Sequence, residues 1–381
     1  MLTWQTARHI LCVRLDTIGD VIMTTPAMRA LKTTLPDRQI TLMTSSAGAA
    51  IAPLIPDLDD LIVYDSPWLK ATAPRQTSEP EYAMIEQLRQ AQFDAAVIFT
   101  VYSQNPLPSA FLCYMAGIPL RLAHCHENPY QLLTDWIKDP EPEQHIRHEV
   151  QRQLDLVASV GATLSDQRMR LQVPSSAIEQ VQQQLAMIGL EQNRPWVVIH
   201  PGATAASRRY PPEHFAVAAR TLVDAGIQVV FTGTLPEMEL VESIRLQMGV
   251  KSFSLVDRLC LTDLTALLSL APLLISNNTG PVHIAAAMGT AIVDLYALTN
   301  PQHTPWAVPN RVLYHDVPCR ICYKSICPEG HHHCLQLVEP DRVVQAALEL
   351  LNGTSVSTLM PVIELSVGNQ KIAHFSTPIL S

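Results

Sequence analysis

Residues 9–15 (HILCVRL) are an apolar run rich in branched side chains, which passes through a short polar turn, 16–20 (DTIGD), into a helical stretch from 21 to about 34. This succession constrains the fold more than any other property of the chain, because a fully apolar strand followed at once by a helix is the building unit of a parallel sheet covered on both faces. It recurs. Further buried-strand runs stand at 39–45 (QITLMTS), 61–66 (LIVYDS) and 94–100 (DAAVIFT), separated by helix and turn at 47–58 and by a helix at 81–91 (EYAMIEQLRQA). A helix is expected over 145–160, where Ile146, Val150, Leu154, Val157 and Ala158 make the stripe of a helix packed on one side. The segment 161–176, running from a glycine through polar residues to Pro174, reads as a boundary, and beyond it the rhythm restarts with strands at 196–202, 227–233, 272–278 and 291–296. Strand–helix alternation in both halves predicts an α/β chain of two Rossmann-like parallel-sheet domains facing across a cleft. The expected division is 1–170, 177–352 and a C-terminal extension, 353–381, in which only 362–367 (VIELSV) has strand character.

Length supports two domains, since 381 residues exceed what one core holds, roughly 250–300 residues. With 48% hydrophobic and 16% charged residues the chain is too apolar for disorder. It has no apolar run of the about 20 residues needed to span a bilayer. The opening MLTWQTARHI has no basic stretch followed by a signal-peptide core, so a cytoplasmic location is expected. A net charge of −9 argues against nonspecific nucleic-acid binding while leaving room for a local basic groove. In such a compartment the eight cysteines are thiols unless a metal holds them. Cys12, Cys113, Cys125 and Cys260 stand singly, and the apolar neighbours of Cys12 and Cys260 predict small core residues.

In open parallel sheets ligands sit beyond the carboxyl ends of the strands, so the loops after each strand are where chemistry is expected. In 14–31 (RLDTIGDVIMTTPAMRAL), Gly19 suits a tight strand-to-helix turn and Asp20 lies at the helix start. Asp20 either caps free N–H groups or faces the cleft as a base, ionised at neutral pH. In 200–215 (HPGATAASRRYPPEHF), Gly202, Thr204 and Ser207 offer small hydrogen-bonding groups and Arg208 and Arg209 fixed charge, a combination suited to pyrophosphate. In 231–240 (FTGTLPEMEL), Glu237 either accepts from ribose hydroxyls or merely favours a helix N-terminus. In 275–289 (ISNNTGPVHIAAAMG), Thr279, Gly280 and the first N–H groups of a helix form an anion site, with His283 on the first turn.

Four segments together, Gly19-Asp20 with Thr25-Pro26, His200-Pro201-Gly202, Arg208-Arg209-Tyr210-Pro211 and 277–283 (NNTGPVH), resemble the ADP-heptose:lipopolysaccharide heptosyltransferases of glycosyltransferase family 9. The likeness runs from about residue 9 to 351. It implies a GT-B fold, acceptor contacts mainly from the first domain, and an ADP-sugar held by the second. It also implies inverting transfer of heptose or a related sugar to a lipopolysaccharide core acceptor, without cofactor or required metal, at peripheral contact with the inner face of the inner membrane. Carried over by residue, Asp20 matches the catalytic base, and Thr204, Glu237, Thr279, Gly280 and His283 match donor contacts. Arg208 stands where the family commonly has Lys, and Asn278 where Asp is usual. Because of Asn278, a nucleotide-binding homologue without transfer activity is an alternative, as is another GT-B enzyme such as a nucleotide-sugar epimerase. The segment 318–335 (PCRICYKSICPEGHHHCL) sets Cys319, Cys322, Cys327 and Cys334 beside His331, His332 and His333. The preferred expectation for it is a reduced thiol loop at the cleft rim, with zinc or an iron–sulfur cluster as the competing one.

Overall fold

A computed structural model describes residues 2–69, 72–191 and 193–353; the rest of the expected C-terminal extension, including 362–367, lies outside the described residues. The first half runs β1 (His9–Val13), α1 (Ile18–Thr34), β2 (Gln39–Thr44), α2 (Ser46–Ala49), β3 (Asp60–Val63), α3 (Glu79–Ala91), β4 (Ala95–Ile98), α4 (Leu107–Met115), β5 (Leu120–Cys125), β6 (Asp135–Lys138) and α5 (Glu149–Ala158). The second runs α6 (Ser175–Met187), β7 (Trp196–His200), α7 (Pro212–Asp224), β8 (Gln228–Phe231), α8 (Met238–Met248), β9 (Phe253–Ser254), α9 (Leu261–Leu270), β10 (Leu273–Asn277), α10 (Gly280–Met288), β11 (Ala291–Leu295), β12 (Asn310–Leu313), α11 (His333–Gln336) and α12 (Pro340–Leu351).

Each half contains a six-stranded parallel sheet, ordered β3-β2-β1-β4-β5-β6 and β9-β8-β7-β10-β11-β12. These are the same order, and in both the sequence of strands reverses beside the first strand of the half. A crevice opens at that switch point, beyond the strand ends, because the following connections leave to opposite faces. Loops after β1 and β4 flank the first crevice; loops after β7 and β10 flank the second. The strands are apolar on both faces for the reason expected of covered parallel sheets. Ile10 and Cys12 face one apolar cluster while Leu11 and Val13 face another. The cluster holding Ile10 continues from Val97 and Leu156 into Leu267 and Ile284, so the two halves share one core along α1, α5, α9 and α10.

Two helices differ from the sequence expectation in instructive ways. α5 begins at Glu149 and not near 145, because the His148 ring accepts the Val150 N–H at 3.1 Å and caps it there. Gly19 does not form a left-handed turn: it lies inside α1, outside the positive-φ residues. What requires glycine there is close approach, since a Cβ at 19 would stand 2.7 Å from His283 Cδ2 on α10. Cys260 is also not a core residue. It is exposed at the start of α9, its thiol 3.1 Å from Asp263 Oδ2, while Cys12, Cys113 and Cys125 are buried. Its neighbours Leu259 and Leu261 pack inward and the cap position turns out.

Candidate active site

The loop after β1 is organised by Arg14, whose guanidinium is fully buried. It lies 2.7 Å from Glu149 Oε1, 3.2 Å from Asp20 Oδ1 and 3.0 Å from Asp16 Oδ2, the last out of line for a hydrogen bond. Burial opposes the Arg14 charge, but the three carboxylates outweigh it and hold the group ionised. The carboxylates divide. Burial pushes Asp16 and Glu149 above the usual carboxylate range against the pull of Arg14. For Asp20 burial also acts upward, yet Arg14, the nearby His303 ring and hydrogen bonds from Thr17 prevail and bring it down to about 2. Thr17 donates both its N–H (3.2 Å) and its hydroxyl (2.8 Å) to Asp20 Oδ2. Asp20 therefore does cap α1, and its side chain nevertheless stays 17% exposed.

Beyond the same sheet two connected hollows border Asp16. One, of ≈ 730 Å³, is lined by Thr17, Ser45, Ser46, Asp65 and Arg75, and the other, of ≈ 470 Å³, by Trp68, Phe99, Ser103 and Asn105. Gln104, which donates to Asp16 Oδ1 at 2.6 Å, lies between them.

In the second half the loop after β7 turns its two arginines differently. Arg209 is exposed and donates to the Ala203 carbonyl at 2.8 Å. Arg208 is half-buried, and its charge acts on the buried His283, His303 and Asp294. Thr204 is exposed on this loop. Glu237 Oε2 takes the Thr234 N–H and hydroxyl at 2.8 and 2.9 Å, the helix-start role foreseen as one of its two readings. Its other oxygen lies over Gly202, where a Cβ would fall 1.8 Å from Oε1, so this glycine makes room for the carboxylate. Asn277 ties the crevice together, donating to Pro201 O at 2.7 Å and accepting from Tyr210 N at 2.9 Å. Thr279 is the N-cap of α10, and Gly280 opens on free space, with nothing within 4 Å of where a Cβ would be.

The two crevices meet. His283, on the first turn of α10, packs on Gly19 of α1. His303 approaches from the loop after β11, its ring 6.4 Å from that of His283. Burial is the main cause that lowers His283 to about 3 and His303 to about 4, and Asp20 acts on both in the opposite sense. Several buried polar atoms here have no hydrogen-bond partner among the described residues: Arg14 Nε, Glu149 Oε2, His283 Nδ1, His303 Nε2 and Asp294 Oδ1. Others are scattered through the described residues, and each of these is an atom that a bound polar group or a water could satisfy. Composition and spacing had pointed to Asp20, Arg208 and His283. Arg14, Glu149, His303 and Asp294 were missed: Arg14 and Asp294 lie at strand ends, His303 lies in a connecting loop and Glu149 opens α5, and no local pattern brings the four together.

The thiol loop runs close by. Ile321 N and Tyr323 N donate to Leu298 O and Thr299 O, and Ser207 donates to Lys324 O at 2.7 Å, so the loop packs on the Arg208 segment. The Tyr323 and Tyr102 hydroxyls bond across the cleft. Cys319 Sγ is 3.9 Å from His331 Nε2. Among the described residues no group of three or more His, Cys, Asp or Glu side chains is placed to hold a metal ion.

Comparison with known proteins bears on the family and the fold. Residues 82–333 match the family described as glycosyltransferase family 9 (heptosyltransferase). Lipopolysaccharide heptosyltransferase 2 of Escherichia coli (strain K12) is 25% identical over 358 residues, covering 90% of this chain and 98% of that one. Among solved structures, a family 9 glycosyl transferase from Veillonella parvula DSM 2008 superposes with a TM-score of 0.77 at 23% identity, over 92% of this chain and 98% of that one. The E. coli ADP-heptose lps heptosyltransferase II gives 0.69 at 24%, over 91% and 100%. These likenesses identify the two-sheet architecture as GT-B. Family match and fold agree, and the chain belongs to glycosyltransferase family 9, the heptosyltransferases.

Proposed function

We propose that this enzyme transfers heptose from ADP-heptose to a sugar hydroxyl of the lipopolysaccharide core, with inversion and without a metal. The observation that carries this reading is the set of unpartnered polar atoms where Asp20 of the first half meets Arg208, His283 and His303 of the second. The names of the E. coli relatives supply the donor and the acceptor class. Arg208 and the open N-terminus of α10 at Thr279 and Gly280 suit the diphosphate. Thr204 and Glu237 Oε1 border the same crevice and take the nucleoside side. The hollows beside Asp16, lined by hydroxyls, amides and Trp68, suit the acceptor sugar. Among the described residues no helix is long and apolar enough to cross a membrane, and the reading places the enzyme peripherally where the lipid-linked acceptor is presented.

In the reaction the acceptor oxygen forms a bond to the anomeric carbon as the bond to the ADP oxygen breaks on the opposite face. The acceptor proton passes to Asp20 and from there to solvent; ADP leaves with the electron pair. At about 2 the Asp20 carboxyl is always in its basic form but is a weak base. Arg208 and the α10 N–H groups stabilise charge growing on the leaving diphosphate. Asp20→Asn is expected to lower kcat by about 10²–10⁴-fold while ADP-heptose still binds. Full transfer by that variant in an assay with purified acceptor would falsify the assignment of the base.

A further inference from the structure

Asn278 directly follows β10, beside the α10 N-terminus, and its amide is oriented by two neighbours. Nδ2 lies 3.0 Å from Asp294 Oδ2 and 2.8 Å from the His303 carbonyl. The carbonyl can only accept, so the atom facing it must be the NH2 group and not the oxygen. Both amide hydrogens are thus committed, one to each neighbour. Oδ1 is left as the only free polar atom of the side chain, with no hydrogen-bond donor among the described residues.

We propose that Asp294 is a positioning residue for the donor site: by holding one amide hydrogen of Asn278 it turns Asn278 Oδ1 outward as a fixed acceptor for a hydroxyl of the transferred sugar. An acceptor-only oxygen repels phosphate and attracts a hydroxyl, so it reads the sugar and not the diphosphate, which Arg208 and the α10 N–H groups serve. Asp294 touches no ligand in this arrangement. It is wholly buried at the end of β11, its Oδ1 unpartnered, behind Asn278. Burial pushes its carboxyl well above the usual range, against the pull of Asn278 and Arg208. Asn278 then presents to a hydroxyl what an aspartate would, without the charge. A carboxylate at 278 would instead set oxygen against both Asp294 and the His303 carbonyl.

This inference rests on the donor reading proposed above, and calorimetric titration with ADP and with ADP-heptose tests the two separately. Asp294→Leu is expected to weaken ADP-heptose binding about 5–10-fold, the effect of losing one orienting hydrogen bond, while ADP binds as to the unsubstituted protein. Asp294→Asn, which can still turn an oxygen toward Asn278, is expected to recover most of that loss. Asn278→Ala should weaken ADP-heptose binding similarly, and adding Asp294→Leu to it should cost nothing more, because Asp294 acts only through Asn278. Undiminished ADP-heptose binding by Asp294→Leu overturns the inference. So does an equal loss of ADP binding, or a further loss in the double variant. If the unsubstituted protein binds neither ligand, the donor reading itself falls and takes this inference with it.

Discussion

A carboxylate that is to accept a proton serves better the more basic it is, and Arg14 works against this for Asp20. Its role is explained by the other two carboxylates. Asp16, Asp20 and Glu149 converge on one buried guanidinium, and without it three like charges would be left close together. Removing one partner from a buried ion cluster commonly costs about 3–5 kcal/mol, and Arg14→Met should lose an amount of that order in urea unfolding at pH 7.5. The loss should shrink at pH 5. Lacking the cation, the carboxyls have raised folded-state values, so the folded protein gains stability from protonation that is lost again as pH rises. A variant as stable as its parent at both pH values would show that the cluster does not depend on the Arg14 charge. Sequence pattern disclosed only one of these residues. Asp20 stood out because it opens a helix after a glycine, whereas Glu149 arrives from α5, 135 residues from Arg14, and no local spacing relates the two.

At the scale of elements the decisive contact is between α1 and α10, which carry the proposed base and the proposed phosphate-binding N-terminus. Gly19 and His283 set their separation. Alanine at 19 would favour an isolated helix by up to about 1 kcal/mol, but its Cβ meets a buried ring whose retreat is blocked by packing. Gly19→Ala is therefore expected to keep both sheets folded, by circular dichroism, while kcat/KM falls by more than about tenfold from displacement of Asp20 relative to the donor. Combining it with His283→Ala should restore part of the thermal stability lost by Gly19→Ala; no recovery would place the strain elsewhere. The elements that sequence rhythm made legible are those with uniform burial, such as β1, β7 and β10. β5 escaped because its buried residues include Arg121 and His124, one on each face. Arg121 is satisfied there by the carbonyls of Leu132 and Gln131, at 2.7 and 2.8 Å, and hydropathy does not register such a partnership. β6 is a short outer strand in which exposed and half-buried residues alternate, so it shows no apolar run.

Across the whole molecule the repeated strand rhythm foretold two sheets, but not how the halves are joined, since each contact links residues far apart in the chain. The loop after β11 docks on the start of α5: Glu149 N donates to Gln302 O at 3.0 Å, and Trp306 donates to Gln167 O at 2.9 Å. His148 is central to this junction. Its Nδ1 accepts from Val150 N, so the proton is on Nε2, which donates to Thr304 O at 2.8 Å, and the ring lies 4.5 Å from that of Trp306. Burial lowers His148 from 6.5 to about 4, despite the opposing bond to Thr304. The sign of the pH effect follows. Between pH 6.5 and 4 the unfolded chain binds a proton at this position and the folded chain does not, so stability is complete above pH 6.5 and falls as pH drops. Lowering the pH from 7.5 to 5 should remove about 2 kcal/mol through this residue alone. The raised carboxyls of Asp16, Glu149 and Asp294 act in the opposite direction, so the parent protein's profile cannot isolate the effect. His148→Asn can, because asparagine still caps α5 but does not titrate, and every other group is common to both proteins. The variant should be less stable at pH 7.5, where it lacks the bond to Thr304, and the gap should close or reverse by pH 5. Urea unfolding of both proteins across that range measures the difference, and parallel profiles would mean that His148 titrates alike in the folded and unfolded chains and does not make the junction between the halves sensitive to acid.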